Sequence, residues 1–392
     1  MSGGASSHRI RQATLVAGSA LIVATMLAAG SGSHGWLLTG LLGLGGLLVV
    51  FAACELMILA VDGIGLRVRM NRYVAGTMAG LASNIPEVVM LGFVLAATPR
   101  VGFLVTVVTL HVSAAAFGIY SALLPRDASG SAEMPKPLVL LSTDLYACAA
   151  GVFFATGAIM LLMYAFDAGV HQGNALNATD LYVLGAALLS VELVAITRLV
   201  KRFSREPAQS AEPSTTATST VQGKTPTIAA IAGFGLLGIV ASVFGGHAVG
   251  NFADVLVTAL DQAGYPKMVG ALVLSVFAST GAFVMMASAH AKGMYDVALA
   301  NASGQVTQVP FVVLPFALIL LAAFGQTGVI PLTSSGGVLP IDLDTVSVLL
   351  LGFPSMLILW KAIQDDGTVN WLETTTMIVI FGLAIYFLAA HG

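Results

Sequence analysis

Residues 36–61 read WLLTGLLGLGGLLVVFAACELMILAV, a stretch with a single charged side chain, Glu55. A helix of this length and composition is long enough to cross the hydrocarbon core of a bilayer. Similar stretches recur along nearly all of the 392 residues, of which 57% are hydrophobic and only 9% are charged. Soluble domains average roughly 25% charged residues. The composition therefore excludes a soluble enzyme, a disordered chain and a nucleic-acid binder, and it predicts an all-α polytopic membrane protein in a lipid bilayer.

Hydropathy predicts eleven transmembrane helices. Their approximate ranges are 14–31, 36–61, 73–98, 101–123, 137–166, 181–200, 226–258, 267–289, 297–324, 341–362 and 370–390. The long polar segment 201–225 is rich in Ser, Thr and Ala, which predicts a disordered cytoplasmic linker. The chain is thus predicted to begin with an N-terminal segment that contains one helix, residues 1–35. The first five-helix repeat follows at 36–200, the linker at 201–225 and the second five-helix repeat at 226–392.

The basic residues predict the orientation of these helices. With the N-terminus in the cytoplasm, only Arg100 and Lys267 of the 16 Lys and Arg residues fall on the outer side. Cytoplasmic loops carry such an excess of basic residues, so the C-terminus is predicted to lie outside. The short loops favour a prokaryotic cytoplasmic (inner) membrane. Arg9 and Arg11, followed by a short apolar run and Ala28-Ala29-Gly30, also fit a cleaved signal peptide, which leaves that alternative open.

Five helices that start outside and five that start inside form two inverted repeats. Folds of this kind place the transported substrate near the bilayer midplane, where interrupted helices of the two repeats meet. The polar residues Ala82-Ser83-Asn84-Ile85-Pro86-Glu87 lie at the middle of the third span. Since Pro86 has no backbone N–H, we expect it to interrupt the helix and to free carbonyl oxygens.

Glu87 is the central candidate of this segment. Asn84 lies one turn earlier on the same helix face, and Ser83 adjoins Asn84. A carboxylate beside neutral oxygens suits a hard metal cation, and an ionisable residue inside a membrane is a functional candidate by default. The sequence therefore predicts that Glu87, with Asn84 and Ser83, binds a cation and a proton in turn. The alternative is a protonated Glu87 that hydrogen-bonds to a neighbouring helix.

Neutral polar residues occupy the corresponding part of the second repeat. The eighth span contains Ser279 and Thr280, and the ninth contains the polar stretch 301–308, which ends in Thr307 and Gln308. These side chains offer neutral oxygens to a cation, so we expect them to line the same site. The alternative is close helix packing through small residues, which is common in membranes.

Several other polar residues lie within apolar spans. His111 and Ser113 in the fourth span are candidates for the same cavity, although a lone histidine more often packs against its neighbours. Four acids fit a proton relay, a helix–helix hydrogen bond or an interfacial position equally well: Glu55, Asp144, Glu192 and Asp254.

The motifs of this chain resemble those of a known family. The last loop, residues 366–373, reads Asp-Gly-Thr-Val-Asn-Trp-Leu-Glu and resembles the Asp-Gly-x-Ser-Asn-Trp-Leu-Glu of calcium/proton exchangers, members of the Ca2+/cation antiporter superfamily. Asn84 and Glu87 match that family's Gly-Asn-x-x-Glu, and Pro86-Glu87 is similar to the Ser-Leu-Pro-Glu of sodium/calcium exchangers. The ninth span matches further family positions at Lys292, Asp296, Gly304, Thr307, Gln308 and Pro315. The resemblance covers nearly the whole chain and implies the exchanger fold and cation antiport.

The chain departs from this family at the second acid of the site. The family pattern places its second glutamate at Ala282 and the following histidine at Phe283, while its asparagine becomes Ser279. In the family, two glutamates hold Ca2+ and exchange it for protons, so only Glu87 remains here. Asp62 stands near an acidic family position at the end of the preceding helix, with two residues inserted.

The remaining carboxylate bears on the transported ion. Ca2+ takes about six to eight oxygen ligands and gains affinity from charged ones, whereas one carboxylate balances one Na+ or one H+. The sequence predicts a secondary antiporter that exchanges Ca2+ or Na+ for protons by alternating access, without a cofactor. The alternative is a non-transporting scaffold or sensor that kept the fold and lost the second acid. A membrane-embedded hydrolase is a distant third, because its motifs do not occur in the sequence.

Overall fold

The computed structural model describes residues 3–30, 35–68, 72–166, 175–203, 226–291, 293–334, 336–364 and 366–391. Its α-helices are α1 Gly3–Gly30, α2 Trp36–Val68, α3 Arg72–Ala97, α4 Pro99–Ala122, α5 Lys136–Ala165, α6 Ala178–Phe203, α7 Ile228–Gln262, α8 Lys267–Ala291, α9 Tyr295–Gln308, α10 Leu314–Thr327, α11 Leu343–Leu350, α12 Gly352–Gln364 and α13 Trp371–His391. A π-helical turn, Val309–Val313, joins α9 to α10. Four two-residue strands are β1 Ala132–Glu133, β2 Ala175–Leu176, β3 Leu339–Pro340 and β4 Thr368–Val369.

The predicted all-α membrane architecture is confirmed. Within the described residues, 11 helical segments are long and apolar enough to cross a bilayer. Helices α9 and α10 with the π turn between them form one segment, Tyr295–Thr327, and α11 with α12 forms another, Leu343–Gln364. Of the predicted linker, residues 201–203 complete α6, whereas residues 204–225 lie outside the described part of the chain.

The helices form two compact units. Unit 1 comprises Met1–Ala97 and Ile196–Leu256, and its core helices are α1, α2, α3 and most of α7. Ile22 of α1, Val49 of α2 and Ala248 of α7 belong to one buried apolar cluster. Helix α1 approaches α2 closely, because a Cβ on Gly18 would lie 2.9 Å from the carbonyl oxygen of Gly45. Small residues at helix crossings allow such close packing in membranes.

Helices α2 and α7 of unit 1 cross with an internal two-fold symmetry. A Cβ on Gly46 would lie 2.8 Å from Val249 and 2.9 Å from the carbonyl oxygen of Gly245. A Cβ on Gly238 would lie 2.8 Å from Met57 and 3.4 Å from the carbonyl oxygen of Ala53. Adding 192 to the numbers 46, 53 and 57 gives 238, 245 and 249, so each helix makes the same contacts with the other. The two helices are antiparallel, as expected for the first helices of two inverted repeats.

Unit 2 comprises Thr98–Ala195 and Val257–Gly392, with the largely buried α4 at its centre. Helix α8 runs beside α4 in the same direction. Ser275 donates a hydrogen bond to the carbonyl oxygen of Val105 over 3.0 Å, and His290 contacts the Tyr120 hydroxyl over 3.3 Å. Both pairs are separated by 170 residues, so the two helices keep a constant register over four turns.

Short strand pairs join the loops of unit 2. Strand β1 follows α4 and pairs antiparallel with β4, which precedes α13. Strand β2 precedes α6 and pairs antiparallel with β3, which precedes α11. In the predicted layout of eleven spans, β1 and β4 lie on the cytoplasmic side and β2 and β3 on the outer side. Both pairs therefore join loops of the same side, which supports the span count. The orientation itself stays a prediction.

Candidate functional site

The central candidate residues lie on α3 in unit 1. Helix α3 continues from Arg72 to Ala97 with Pro86 inside it, so the expected interruption at Pro86 was wrong. A proline ring can be accommodated in a membrane helix at the loss of one hydrogen bond. Pro86 cannot donate the helical hydrogen bond to the carbonyl group of Ala82, which keeps one backbone oxygen available at this depth.

Two oxygen-bearing side chains of this segment share one face of α3. Asn84 is 2% exposed, and Glu87, three residues later, is half-buried. The Ser83 hydroxyl donates to the carbonyl oxygen of Gly80 over 2.6 Å, which leaves its oxygen able to accept or to bind a cation. The thiol of Cys54 on α2 donates to the carbonyl oxygen of Ser83 over 3.3 Å and fixes α2 against this segment.

The depth of Glu87 follows from the packing of α3 on α7. A Cβ on Gly246 would lie 3.0 Å from Met90, and a Cβ on Gly250 would lie 3.0 Å from Phe93. Since these contacts advance together along both helices, Glu87 lies level with Val243. The symmetric contacts of α2 and α7 are centred at the same level on α7. Glu87 therefore lies at the level of the two-fold crossing within unit 1.

Asp62 does not join this group along α2. It is half-buried and follows Cys54, which contacts the Ser83 backbone, by eight residues. At 1.5 Å per residue, this separation is about 12 Å along the helix axis. Asp62 thus lies near the C-terminal end of α2, and its part in the site stays a prediction.

The candidates of the ninth span lie in unit 2, at the end of α9. Thr307 is 7% exposed and donates its hydroxyl to the carbonyl oxygens of Ser303 and Gly304, each over 3.2 Å. Gln308 is half-buried and directly precedes the π turn. The turn contains Pro310, whose missing N–H disfavours a regular α-helix there. π turns inside α-helices are frequent at functional sites.

The candidates of the eighth span divide into one buried and one exposed hydroxyl. Ser279 is 2% exposed, and its hydroxyl has no hydrogen-bond partner among the described residues. Thr280 is exposed and donates to the carbonyl oxygen of Val276 over 3.0 Å. Ala282, which stands at the family's second glutamate, is 8% exposed, and its carbonyl oxygen accepts a 2.9 Å hydrogen bond from the Asn301 amide. This part of α8 thus offers neutral groups only.

His111 is held by the packing of unit 2. It is fully buried on α4, its Nε2 lies 3.0 Å from the carbonyl oxygen of Val348, and its Nδ1 lies 3.4 Å from the Ser355 hydroxyl. Both ring nitrogens are thus engaged, which supports the packing alternative. Ser113, two residues on, is 2% exposed and has a hydroxyl without a hydrogen-bond partner among the described residues.

Sequence reasoning missed a buried cluster of hydroxyl groups between α5 and α9. The Tyr146 hydroxyl lies 2.7 Å from the Ser303 hydroxyl, which in turn donates to Ser142 over 2.8 Å. Ser142 and Tyr146 are four residues apart on α5, a spacing that brings them onto one face. The cluster lies one turn before Thr307 and stabilises the helix that carries Thr307.

The motif at residues 366–373 has a structural role. Asn370 and Glu373 form a capping box at the start of α13, with hydrogen bonds of 2.8 and 3.0 Å between each side chain and the other's backbone N–H. The Arg126 guanidinium stacks 3.9 Å from the Trp371 ring and donates to the Thr374 hydroxyl over 2.7 Å and to the carbonyl oxygen of Val369 over 2.9 Å. The motif thus fixes the end of α4 to the start of α13, and Glu373 caps the first turn of α13.

The described residues contain no group of three or more His, Cys, Asp or Glu side chains placed to hold a metal ion.

Residues 230–390 match the family described as sodium/calcium exchanger protein. This match confirms the resemblance inferred from the motifs, and it lies in the half of the chain that lacks the second acid. Asn84 and Glu87 lie outside the matched range. No curated protein sequence matches the chain significantly.

Solved structures with the same fold extend over the whole chain. The H+/Ca2+ exchanger CAX superposes with a TM-score of 0.65 at 13% identity and covers 97% of this chain and 91% of its own. The selenium-substituted Ca2+/H+ antiporter protein YfkE superposes with a TM-score of 0.61 at 15% identity, covering 97% and 99%. The sodium-calcium exchanger NCX_Mj gives 0.51 at 14% identity, covering 88% and 98%. At these identities the similarity establishes the fold.

Proposed function

We propose that this chain is a cation exchanger. Its residues 230–390 match the sodium/calcium exchanger family, and its fold matches that of a solved cation exchanger over 97% of the chain. A member of this family is a multi-pass membrane transporter of cations and not an enzyme. The proposal is that this protein exchanges a metal cation for protons by alternating access, and that Glu87 binds the cation and the proton in turn.

One observation carries the role of Glu87. Its carboxylate lies at the level where α2 and α7 cross with two-fold symmetry, one turn after the buried Asn84 on the same face of α3. In inverted-repeat transporters the two-fold axis lies in the plane of the membrane, and the substrate binds near the midplane. A half-buried carboxylate at that depth is costly unless it binds a counter-ion or a proton.

The single carboxylate favours a monovalent cation. The family's second glutamate is Ala282 here, and the groups around Ala282 are neutral. A Ca2+ ion at such a site would keep one uncompensated positive charge in a medium of low dielectric constant. Na+ or H+ would each be balanced by Glu87 alone. We therefore propose Na+ as the preferred cation and Ca2+ as the weaker one.

Neutral oxygens complete the proposed ligand set. Asn84 and Ser83 lie on the same helix segment as Glu87. The Ser83 hydroxyl donates its hydrogen to the carbonyl oxygen of Gly80, so the lone pairs of the hydroxyl oxygen stay available to a cation. Thr307 and Gln308 are the proposed neutral ligands of the second repeat. Thr307 likewise donates to backbone oxygens and keeps its lone pairs for a ligand.

Proton flux in proteoliposomes with an internal pH dye tests this proposal. Under an outward proton gradient, addition of Na+ should raise the internal pH of vesicles that contain the unchanged protein. Glu87→Gln should abolish the response while size-exclusion chromatography shows a folded protein, because the amide neither ionises nor exchanges a proton. Glu133→Gln, which alters an exposed acid in β1, is the matched control and should retain the response. Full exchange by Glu87→Gln would remove Glu87 from the mechanism.

A second candidate function rests on the neutral surroundings of Ala282. A relative that lost its second acid could serve as a membrane scaffold or sensor without transport. In that case Na+, K+ and Ca2+ would each fail to move protons in vesicles that contain folded protein. Any cation-dependent flux above that of empty vesicles would exclude this candidate.

A further inference from the structure

Helix α6 carries an acid, Glu192, on the side that packs against the rest of unit 2. Gly185 and Leu188 are buried along one face of the helix, and Glu192 continues that face four residues later. Glu192 is half-buried, whereas the next residue, Leu193, is 65% exposed. The carboxyl group therefore lies where the preceding residues of the face are small or apolar.

Helix α10 packs against this face of α6 in the antiparallel direction. A Cβ on Gly185 would lie 2.9 Å from Ile319 and 3.0 Å from the carbonyl oxygen of Pro315. Tyr182, which precedes the glycine on α6, donates a 3.1 Å hydrogen bond to Gln326, which follows that contact on α10. Residues later on α6 therefore lie level with residues earlier on α10.

This packing places Glu192 level with the π turn. Adding 7 to position 185 gives 192, and subtracting 7 from 317, the midpoint of the α10 contact, gives Pro310 in the π turn. The membrane segments Ala178–Arg198 and Tyr295–Thr327 are centred at positions 188 and 311. Both segments thus place Glu192 within about 6 Å of the middle of a span, well inside a hydrocarbon layer with a half-thickness of about 15 Å.

Glu192 lacks a positive partner at this depth. Among the described residues, the ion pairs are those of Arg100 with Asp342 and Asp344. Positions 297–341, which include the π turn and α10, contain no ionisable side chain. A carboxylate without a counter-charge is unstable in such surroundings, so the Glu192 carboxyl group should hold a proton until a change of charge or of solvent access releases it.

The other helices near this face also leave Glu192 without a counter-charge. Helices α4, α5, α6 and α10 line one apolar cavity. On α4, His111 is engaged with the carbonyl oxygen of Val348. On α5, the buried Tyr146 is bonded to Ser303. The remaining ionisable side chains of α5 are exposed, and they are Lys136, Asp144, Cys148 and Tyr164.

The fold does not require an acid at this position. Helices α6 and α13 end the two predicted repeats, and each begins with a capping box, formed by Asn177 with Asp180 and by Asn370 with Glu373. Adding 193 to the numbers of the first box gives those of the second, so position 192 corresponds to Ile385. Ile385 is half-buried as well. Because an isoleucine packs at the equivalent position, helix packing does not explain a glutamate in α6.

We propose that Glu192 is a second proton-binding residue of this protein, which takes up and releases one proton in each transport cycle in addition to Glu87. The polar end of α9, which the proposed function assigns to the cation, lies about one turn from the level of Glu192. A positive charge there favours the ionised form of Glu192, since charges interact strongly in a medium of low dielectric constant. The coupling to transport rests on the proposed function, whereas the presence of the proton site does not.

A hydrophobic carbodiimide tests the proton site without reference to transport. Dicyclohexylcarbodiimide dissolves in the bilayer and adds to protonated carboxyl groups, and mass spectrometry of the digested protein locates the adduct. In proteoliposomes that contain the unchanged protein, Glu192 should be modified at acidic pH. The modification should fall about tenfold for each pH unit at the alkaline end, as the proton is lost. Glu133, the exposed acid of β1, is the control and should stay unmodified.

The ratio of protons to Na+ tests the part of Glu192 in transport. Uptake of radioactive Na+ and the opposite proton flux would be measured in the same proteoliposomes. Glu192→Gln should retain exchange through Glu87 and lower the ratio of protons to Na+ by about half, because one of two proton-carrying carboxyl groups is lost. Glu192→Asp should keep the ratio. Glu192→Ile, which introduces the residue type found at position 385, should fold and show the same lower ratio as Glu192→Gln.

Each contrary result has a distinct meaning. Absent modification of Glu192, or modification that is equal at acidic and alkaline pH, would overturn the proton site. An unchanged ratio in folded Glu192→Gln and Glu192→Ile would overturn its part in transport, and failure of both variants to fold would assign Glu192 to the structure instead. If the unchanged protein moved no protons with any cation, the proposed function would fail, while pH-dependent modification of Glu192 would still establish the proton site.

Discussion

The chemistry of this protein at the residue scale depends on an acid that is present and one that is missing. Glu87 supplies a carboxylate at the level of the helix crossing, while Ala282 places a methyl group at the position where the resemblance to calcium/proton exchangers implies a second glutamate. The Asn301 amide reaches the backbone of α8 at Ala282 rather than a side chain there. The proposed site thus contains one negative charge, and its preference between monovalent and divalent ions should respond to a single substitution.

Ala282→Glu should increase the response to Ca2+. A second carboxylate adds a charged oxygen donor, and Ca2+ affinity rises with the number of charged ligands. We expect Ca2+-driven proton flux to increase by about tenfold relative to Na+-driven flux, which corresponds to roughly 1.4 kcal/mol of differential binding. Ala278→Glu, one turn earlier on α8, is the matched control and should leave the ratio unchanged. An unchanged ratio in folded Ala282→Glu would show that position 282 does not face the cation.

At the scale of the element, glycine determines how closely α2 and α7 approach. Gly46 and Gly245 place backbone against backbone, and each would carry a Cβ within 2.9 Å of the other's carbonyl oxygen. Such an approach excludes any larger residue unless the helices separate. The two-fold symmetry of the crossing also makes Glu55 and Asp62 of α2 the counterparts of His247 and Asp254 of α7, on opposite sides of the crossing.

Gly46→Ala should destabilise the protein although alanine favours helices. Its Cβ would lie 2.8 Å from Val249 and 2.9 Å from the Gly245 carbonyl oxygen, and overpacking of this kind costs about 1–3 kcal/mol. Gly40→Ala on the same helix meets nothing within 4 Å and should gain about 0.5–1 kcal/mol. Thermal unfolding in detergent should therefore give a lower Tm for Gly46→Ala and an equal or higher Tm for Gly40→Ala. A higher Tm for both variants would show that the crossing is loose.

The motif at residues 366–373 shows that the role of a recognised motif can depend on contacts that only a structure reveals. The sequence of residues 366–373 resembles a family motif, and in the structure these residues cap α13 and pack Trp371 against Arg126. Arg126 comes from the loop after α4, more than 240 residues earlier. No local pattern links the two segments, because the contact depends on the pairing of β1 with β4.

At the scale of the whole molecule, the sequence was sufficient for the number and extent of the spans. Hydropathy is decisive there because every membrane helix must be long and apolar. Hydropathy does not predict the contacts between helices. Whether His111 faces a cavity or the carbonyl oxygen of Val348 depends on the rotation of α4, which hydropathy does not determine. Pro86 shows the same limit, since α3 accommodates it without ending.

The odd number of spans makes a prediction for the two ends of the chain. An odd count places them on opposite sides of the membrane, and the basic residues predict a cytoplasmic N-terminus. Arg100, a basic residue assigned to the outer side, pairs with Asp342 over 2.8 Å and also with Asp344, so its charge is neutralised locally. This pairing explains why Arg100 can depart from the rule without reversing the orientation.

Cysteine labelling near the two ends should show on which side of the membrane each end lies. Ser7→Cys and His391→Cys would each be made in a protein whose Cys54 and Cys148 are replaced by serine. In right-side-out vesicles an impermeant maleimide should label position 391 within minutes and leave position 7 unlabelled until detergent is added. Labelling of position 7 alone would reverse the orientation and keep the span count. Labelling of both positions would require an even count. The strand pairs require an even number of spans between β1 and β4 and between β2 and β3, so the change in count would then fall on a helix before β1 or after β4, such as α1. The strand pairs therefore constrain the spans that lie between them, while the labelling of positions 7 and 391 tests the helices outside the paired loops and the side on which each end lies.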